Sequence, residues 1–243
     1  RAGTRLGIRD FGGYEDDPLG LSRQVRFREA SRRQPALLGH ANIRWVLDPS
    51  NKTPLPPSAQ RRRDGVAELT EVAPAVLYVP APVAADDVDA ALAALARIAP
   101  GTGAVVEGSA PAGPPGAAPT SGAFTTYEPN HVVAEIDTPG PGLVVIAEAY
   151  YPAWRATVDG EPAAILPANG MFRGVPVTGA GHHVIDMNLQ PARFRWLLPA
   201  HLIALLLLLG AVSAPRWRRL RERSRRRTDK PSGSSAPRGE GSA

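Results

Sequence analysis

Five side chains in the second half of this chain have the types and spacing to bind a polar ligand. Tyr150, Tyr151 and Trp154 stand close together, Arg155 follows directly, and Arg173 lies further along. Aromatic rings grouped at a turn offer stacking faces, and nearby guanidinium groups offer forked donors. The cluster is therefore a candidate platform for a sugar. The same residues also have a packing role open to them, with Trp154 anchoring a core and Tyr150 lining it. The chain contains no P-loop, dinucleotide fingerprint, HExxH or nucleophile elbow, so no catalytic residue and no cofactor is assigned. It contains no cysteine, which excludes disulfides, thiolate nucleophiles and Cys-based metal sites. The remaining polar clusters have simpler readings, and none is assigned a metal. Glu15-Asp16-Asp17 has the oxygen ligands of a divalent-ion site and also reads as a solvated acidic turn before Pro18. Asp86, Asp87 and Asp89 open a helix, where carboxylates favour the N-terminal dipole. His182 and His183 are neighbours on a strand and face opposite sides, so they do not share a metal. His201 falls in an apolar run, where a polar residue is a functional suspect; near the outer end of the run it reads as interfacial.

The elements that must position these residues follow from periodicity. A short amphipathic helix is expected over Leu21 to Ser31. A strand is expected over Ala41 to Asp48, with Ile43, Trp45 and Leu47 on one face. Residues 49–63 form a Pro-rich polar connector that includes the glycosylation triplet Asn51-Lys52-Thr53. "VAELTEVA", "AVLYVP" and "VVEG" read as strands around a helix whose Val88, Leu92, Leu95 and Ile98 share a face. This makes 1–108 a small α/β segment. Residues 109–122, SAPAGPPGAAPTSG, read as a linker. Residues 123–193 then carry seven short β-like runs separated by turn residues. Asp159-Gly160 and Asn169-Gly170 sit where a tight hairpin needs positive φ. In one run Trp154, Ala156 and Val158 share a face, and in the last run Ile185, Met187 and Leu189 do. The fold class expected is α+β and mainly β: a small α/β segment, an antiparallel β-sandwich, and one C-terminal transmembrane helix.

That helix is expected over 196–214. Leu197 to Ala214 is an uncharged run of 18 residues, bracketed by Trp196 and Trp217. It has the length of a short membrane span, and amphipathic aromatics favour the headgroup level. Residues 1–195 carry 18 Lys/Arg against 20 Asp/Glu, whereas 215–243 carry 10 against 3. The net charge of +5 is thus a juxtamembrane tail rather than a nucleic-acid-binding face. Its basic residues place the C-terminus in the cytoplasm and the bulk of the chain outside. Residues 228–243 read as disordered. The chain opens RAGTRLG, with no initiator Met and no signal peptide. A chain with its bulk outside and its anchor near the C-terminus needs something upstream to export it. The expectation is the C-terminal part of a longer membrane protein.

The order of pieces carries a resemblance. "YEPN" opens a strand, "GLVVIAEAYYPAW" gives a strand and turn, "ATVDGEPAAILPANGMFRGVPV" follows, and "GAGHH" opens a last strand before the final apolar run. With "ANIRWVLD" and the "AVLYVP" to "VVEG" block, this resembles the C-terminal extracytoplasmic region of the YfhO-like family of bacterial integral membrane proteins, over most of residues 1–214. The family usually has Gly before the Trp, where this chain has Ala153-Trp154. The resemblance implies upstream transmembrane helices similar to GT-C glycosyltransferases, with a polyprenyl-linked sugar as donor, an envelope polymer as acceptor and location in the bacterial inner membrane. The acidic base of such enzymes would lie upstream of Arg1, so it is carried over to no residue here. Two other readings stay open. The β domain can be a non-catalytic module that binds glycan or a partner membrane protein, or the chain can belong to an accessory subunit of a transporter or flippase.

Overall fold

The computed structural model describes residues 22–50, 52–62, 64–109, 111–190 and 199–212. The chain divides into two compact units, 1–190 and 191–243. Glu15-Asp16-Asp17, Asn51, Trp196, Trp217 and the basic tail lie outside the described residues.

The first unit is mainly β with a few helices. Helix α1 spans Ser22–Arg33, α2 spans Leu37–His40 and α3 spans Val88–Leu95. Strands β1 (Trp45–Leu47), β2 (Gln60–Arg61) and β3 (Val66–Glu68) form a small sheet in the order β1-β3-β2. Leu47 is 78% exposed and Trp45 49%, so the apolar face of β1 is an open one. The Pro-rich connector is fastened from below by buried Asp48. Its carboxylate accepts from the Lys52 and Thr53 amides and pairs with Arg61 at 2.7 Å, and these partners hold it well below the usual carboxylate range, Arg61 foremost.

The remaining strands are β4 (Val76–Val79), β5 (Val83–Ala85), β6 (Val105–Glu107), β7 (Thr120–Glu128), β8 (His131–Pro139), β9 (Gly142–Ala149), β10 (Trp154–Val158), β11 (Glu161–Ala163), β12 (Leu166–Ala168), β13 (Phe172–Val177) and β14 (Ala180–Leu189). They form one curled sheet in the order β11-β10-β14-β8-β7-β4-β9-β13-β12-β6-β5. All its pairs are antiparallel except β5 with β6. The expected arrangement was a sandwich of two sheets. The strands run as one continuous curled sheet, because β7 is shared. Its first residues pair with β4 and its later residues with β8. Gly122 stands at the changeover. An added Cβ there would collide with the Glu135 carbonyl and approach Ile136 Cβ to 2.8 Å, so only glycine admits this close approach. The stretch 109–122, read as a linker, runs from the end of β6 into the first residues of β7, and strands from both sides of it lie in the same sheet.

Two apolar clusters explain why β4 and β9 do not alternate. Leu77, Val79, Leu143 and Val145 pack with Phe27 of α1 and with Leu92 and Leu95 of α3. Val76, Tyr78, Val144 and Ile146 pack with Val132, Ile136, Ile185 and Met187 of the other arm. Strands buried on both faces read as continuous apolar runs. Helix α3 begins at Asp87, whose side chain caps the Ala90 amide at 2.8 Å. Asp89 pairs with Arg26 of α1 at 2.7 Å.

In the second unit, residues 199–212 are helical and exposed throughout. No helix among the described residues is long and apolar enough to cross a membrane. The described helix covers only part of the 196–214 run expected to span; 196–198, 213 and 214 lie outside the described residues.

Candidate functional site

Strand β9 ends at Ala149, and the chain crosses through Tyr150–Ala153 to Trp154 at the start of β10. Strand β13 reaches the same end, pairing Phe172 with Ala149 and Arg173 with Ile146 across a register shift. Such a bulge re-aims a side chain, and here Arg173 lies against the Trp154 ring, its guanidinium carbon 3.7 Å from the centroid. That distance is well inside cation–π range. Arg173 Nε donates to the Ala149 carbonyl at 3.0 Å. The residue is only 4% exposed, and its Nη1 is buried with no acceptor among the described residues. Burial pushes the Arg173 pKa down to about 10, against the opposing pull of Glu148 and Tyr127, so the group stays charged at neutral pH. The Tyr127 hydroxyl donates to Glu148 Oε1 at 2.7 Å.

The five sequence candidates divide. Trp154 and Arg173 come together, and Trp154, 8% exposed, is also part of the core. Tyr151 lies beside them on the turn, 39% exposed, its carbonyl accepting from the Trp154 amide at 3.1 Å. Tyr150 is drawn toward α1, with the Arg23 guanidinium 5.6 Å from its ring centroid. Arg23 is itself paired with Glu107, Nη2 to Oε2 at 2.8 Å, and donates to the Gly170 carbonyl at 3.2 Å. Arg155 is exposed, and its Nη1 donates at 2.9 Å to the carbonyls of Pro152 and Trp154. Tyr127 and Glu148 were not singled out from the sequence. They bond each other between β7 and the end of β9 and act on Arg173 through charge, and no local pattern in the sequence marks the pair.

The Trp154–Arg173 stack is itself shielded from solvent, and the groups open around it are the Tyr151 and Tyr127 rings, the Arg155 guanidinium and the half-buried Glu148 carboxylate. Those groups bind hydroxyl-rich ligands by hydrogen bonding and stacking. Among the described residues no group of three or more His, Asp or Glu is placed to hold a metal ion. His182 and His183 are at the far end of the sheet, each engaged by its own carboxylate. A groove of about 260 Å³ between α1 and α3, lined by Arg26, Glu29, Arg33, Asp89 and Leu92, is separate from the aromatic cluster. Compared with known proteins, the chain matches no family model, no curated protein and no solved structure.

Proposed function

We propose that this chain is the membrane-anchored C-terminal region of a YfhO-like integral membrane protein. The parent transfers, or helps transfer, sugar from a polyprenyl-phosphate carrier to an envelope polymer outside the bacterial inner membrane. The observation that carries the reading is the helix at 199–212. Its Leu202, Ile203, Leu205, Leu206, Leu207, Leu208, Leu209 and Val212 are 52–69% exposed. A contiguous apolar surface of this kind calls for lipid or a partner, and the basic cluster after it favours a cytoplasmic C-terminus. In this reading the two arms of the curled sheet act as a β-sandwich whose Trp154–Arg173 end holds glycan. The chain supplies acceptor positioning rather than a catalytic base, and positioning alone lowers a barrier substantially.

The buried Arg173 favours a second reading for the domain taken by itself. A guanidinium with an unused donor beside an aromatic ring is recognition chemistry, so the β domain would bind glycan without acting on it. The two readings separate in cells. The gene is deleted and incorporation of labelled sugar into envelope polymers is measured, with complementation by the full-length product and by residues 1–243 alone. Loss of one modification, restored only by the full-length product, supports the transferase. Unchanged incorporation overturns it and leaves the binding module.

A further inference from the structure

The end of the sheet opposite Trp154 holds a histidine placed between two acceptors. His183, on β14, has Nδ1 at 2.7 Å from Asp159 Oδ2 and Nε2 at 3.1 Å from the Gly179 carbonyl. A neutral imidazole carries one N–H, so in either tautomer one ring nitrogen would turn a lone pair toward an oxygen. Only the imidazolium donates to both. We propose that His183 is a proton-operated latch that fastens the edge hairpin β10–β11 to the rest of the curled sheet, closed when the imidazole is charged and loosened when it loses its proton.

The latch joins two connections. Asp159 occupies the β10–β11 turn at φ 54°, followed by Gly160 at φ 87°. Its other carboxylate oxygen accepts from the Val184 amide at 2.8 Å, and its own amide donates to the Val184 carbonyl at 2.9 Å. Gly179 belongs to the β13–β14 connection, and its carbonyl also accepts from Thr138 Oγ1 of β8 at 2.9 Å. Asp159 is the charged group facing His183 from the hairpin. From β8, Asp137 and Glu135 face the neighbouring His182 instead, at 3.1 and 3.7 Å; His182 adds its own positive field at Asp159. Burial works to lower the His183 pKa but is outweighed by the Asp159 hydrogen bond, the Gly179 carbonyl and the Asp159 charge, which together raise it above 6.5. The sign follows. A raised pKa contributes stability that is complete below about pH 6.5 and lost as pH climbs through the raised value. Strand β11 is the sheet edge and β10 its neighbour, so what loosens is the hairpin that carries Trp154 at its other end.

The inference does not depend on the proposed function. The chain has five histidines, so ring-labelled residues 1–243 in detergent micelles give five imidazole titrations by NMR, assigned by single His→Gln variants. Hydrogen exchange by mass spectrometry is followed in parallel over 154–163, corrected for intrinsic rate. The expected result is a His183 midpoint above 6.5 and protection of the hairpin that falls as pH rises. The fall is about tenfold for each pH unit separating the latched from the free midpoint. Asp159→Asn moves the midpoint down, and His183→Gln abolishes the pH dependence while 131–139 is unaffected. A wild-type His183 titrating at or below 6.5, or hairpin protection independent of pH, overturns the latch. Both readouts are taken on the wild-type chain, so they stand even where a variant fails to fold.

Discussion

At the scale of single residues, Arg173 and Asn169 make opposite demands. Arg173 is desolvated, stacked on Trp154 and bonded through one nitrogen only, with Nη1 left over. Burying a charge this incompletely costs stability, and replacement by an apolar side chain of similar length is commonly neutral or stabilising. Arg173→Met should therefore melt within about 1 kcal/mol of wild type or above it, while abolishing any glycan retention on an affinity column. A large loss of stability would make Arg173 a structural residue and remove it from the site. Asn169 is the reverse case. It is 2% exposed, its Oδ1 accepts from the Val105 amide at 2.9 Å, and it adopts φ 48° in the β12–β13 turn. Asn169→Ala leaves a buried amide without a partner and puts Ala where Asn is better tolerated. The expected cost is about 2–3 kcal/mol in urea unfolding, most of it the unpaired amide.

At the scale of elements, what could be read from sequence was what is local. Helix α1 was expected from Leu21 to Ser31 and forms over Ser22–Arg33; α3 forms at its Asp87 cap. The Asp159-Gly160 and Asn169-Gly170 turns take the positive φ values their residues permit. Trp154 with Ala156, and Ile185 with Met187, are buried as their alternation required. What could not be read was what covers each face. Trp45 and Leu47 alternate like core residues and are exposed, because a period of two marks a face and not its neighbour. The Tyr127–Glu148 hydrogen bond between β7 and the end of β9 depends on strand register, which no single segment encodes. The curl of the sheet was hidden in Gly122, a glycine inside a Pro/Gly/Ala-rich stretch that reads as loop. Its backbone is pressed against the Glu135 carbonyl where β7 passes from β4 to β8. Gly122→Ala forces backbone apart at the one strand both arms share, and overpacking of this kind costs about 3 kcal/mol. The measurement is thermal and urea unfolding of the variant. Gly179→Ala, whose added Cβ meets nothing within 4 Å and whose φ is ordinary, as at Gly122, controls for replacing a glycine without crowding. Equal losses in the two variants would show that close approach at Gly122 is not what fixes the curl.

At the scale of the whole molecule, the distribution of charge and apolar surface makes a membrane test decisive. Residues 1–195 are nearly balanced in charge, 196–214 carry none, and 215–243 are strongly basic. The helical residues inside the uncharged run expose leucines on every side, which lipid accommodates without cost and water does not. If this run is an anchor, the full chain should float with liposomes and resist alkaline carbonate. Replacing Leu205, Leu206 and Leu208 together by Arg should release it, since each Arg at the centre of a span opposes insertion by about 3 kcal/mol and each lost Leu adds several tenths. The absence of cysteine makes the orientation equally accessible. Glu161→Cys lies on exposed β11, and Ser232→Cys lies beyond the basic cluster. In intact spheroplasts a membrane-impermeant maleimide should label the first, and it should label the second only after lysis. The reverse pattern would place the β domain in the cytoplasm, where no polyprenyl-linked donor of the outer leaflet can be met. Release by carbonate with both cysteines labelled alike would remove the anchor itself and leave the apolar helix as a surface for a protein partner.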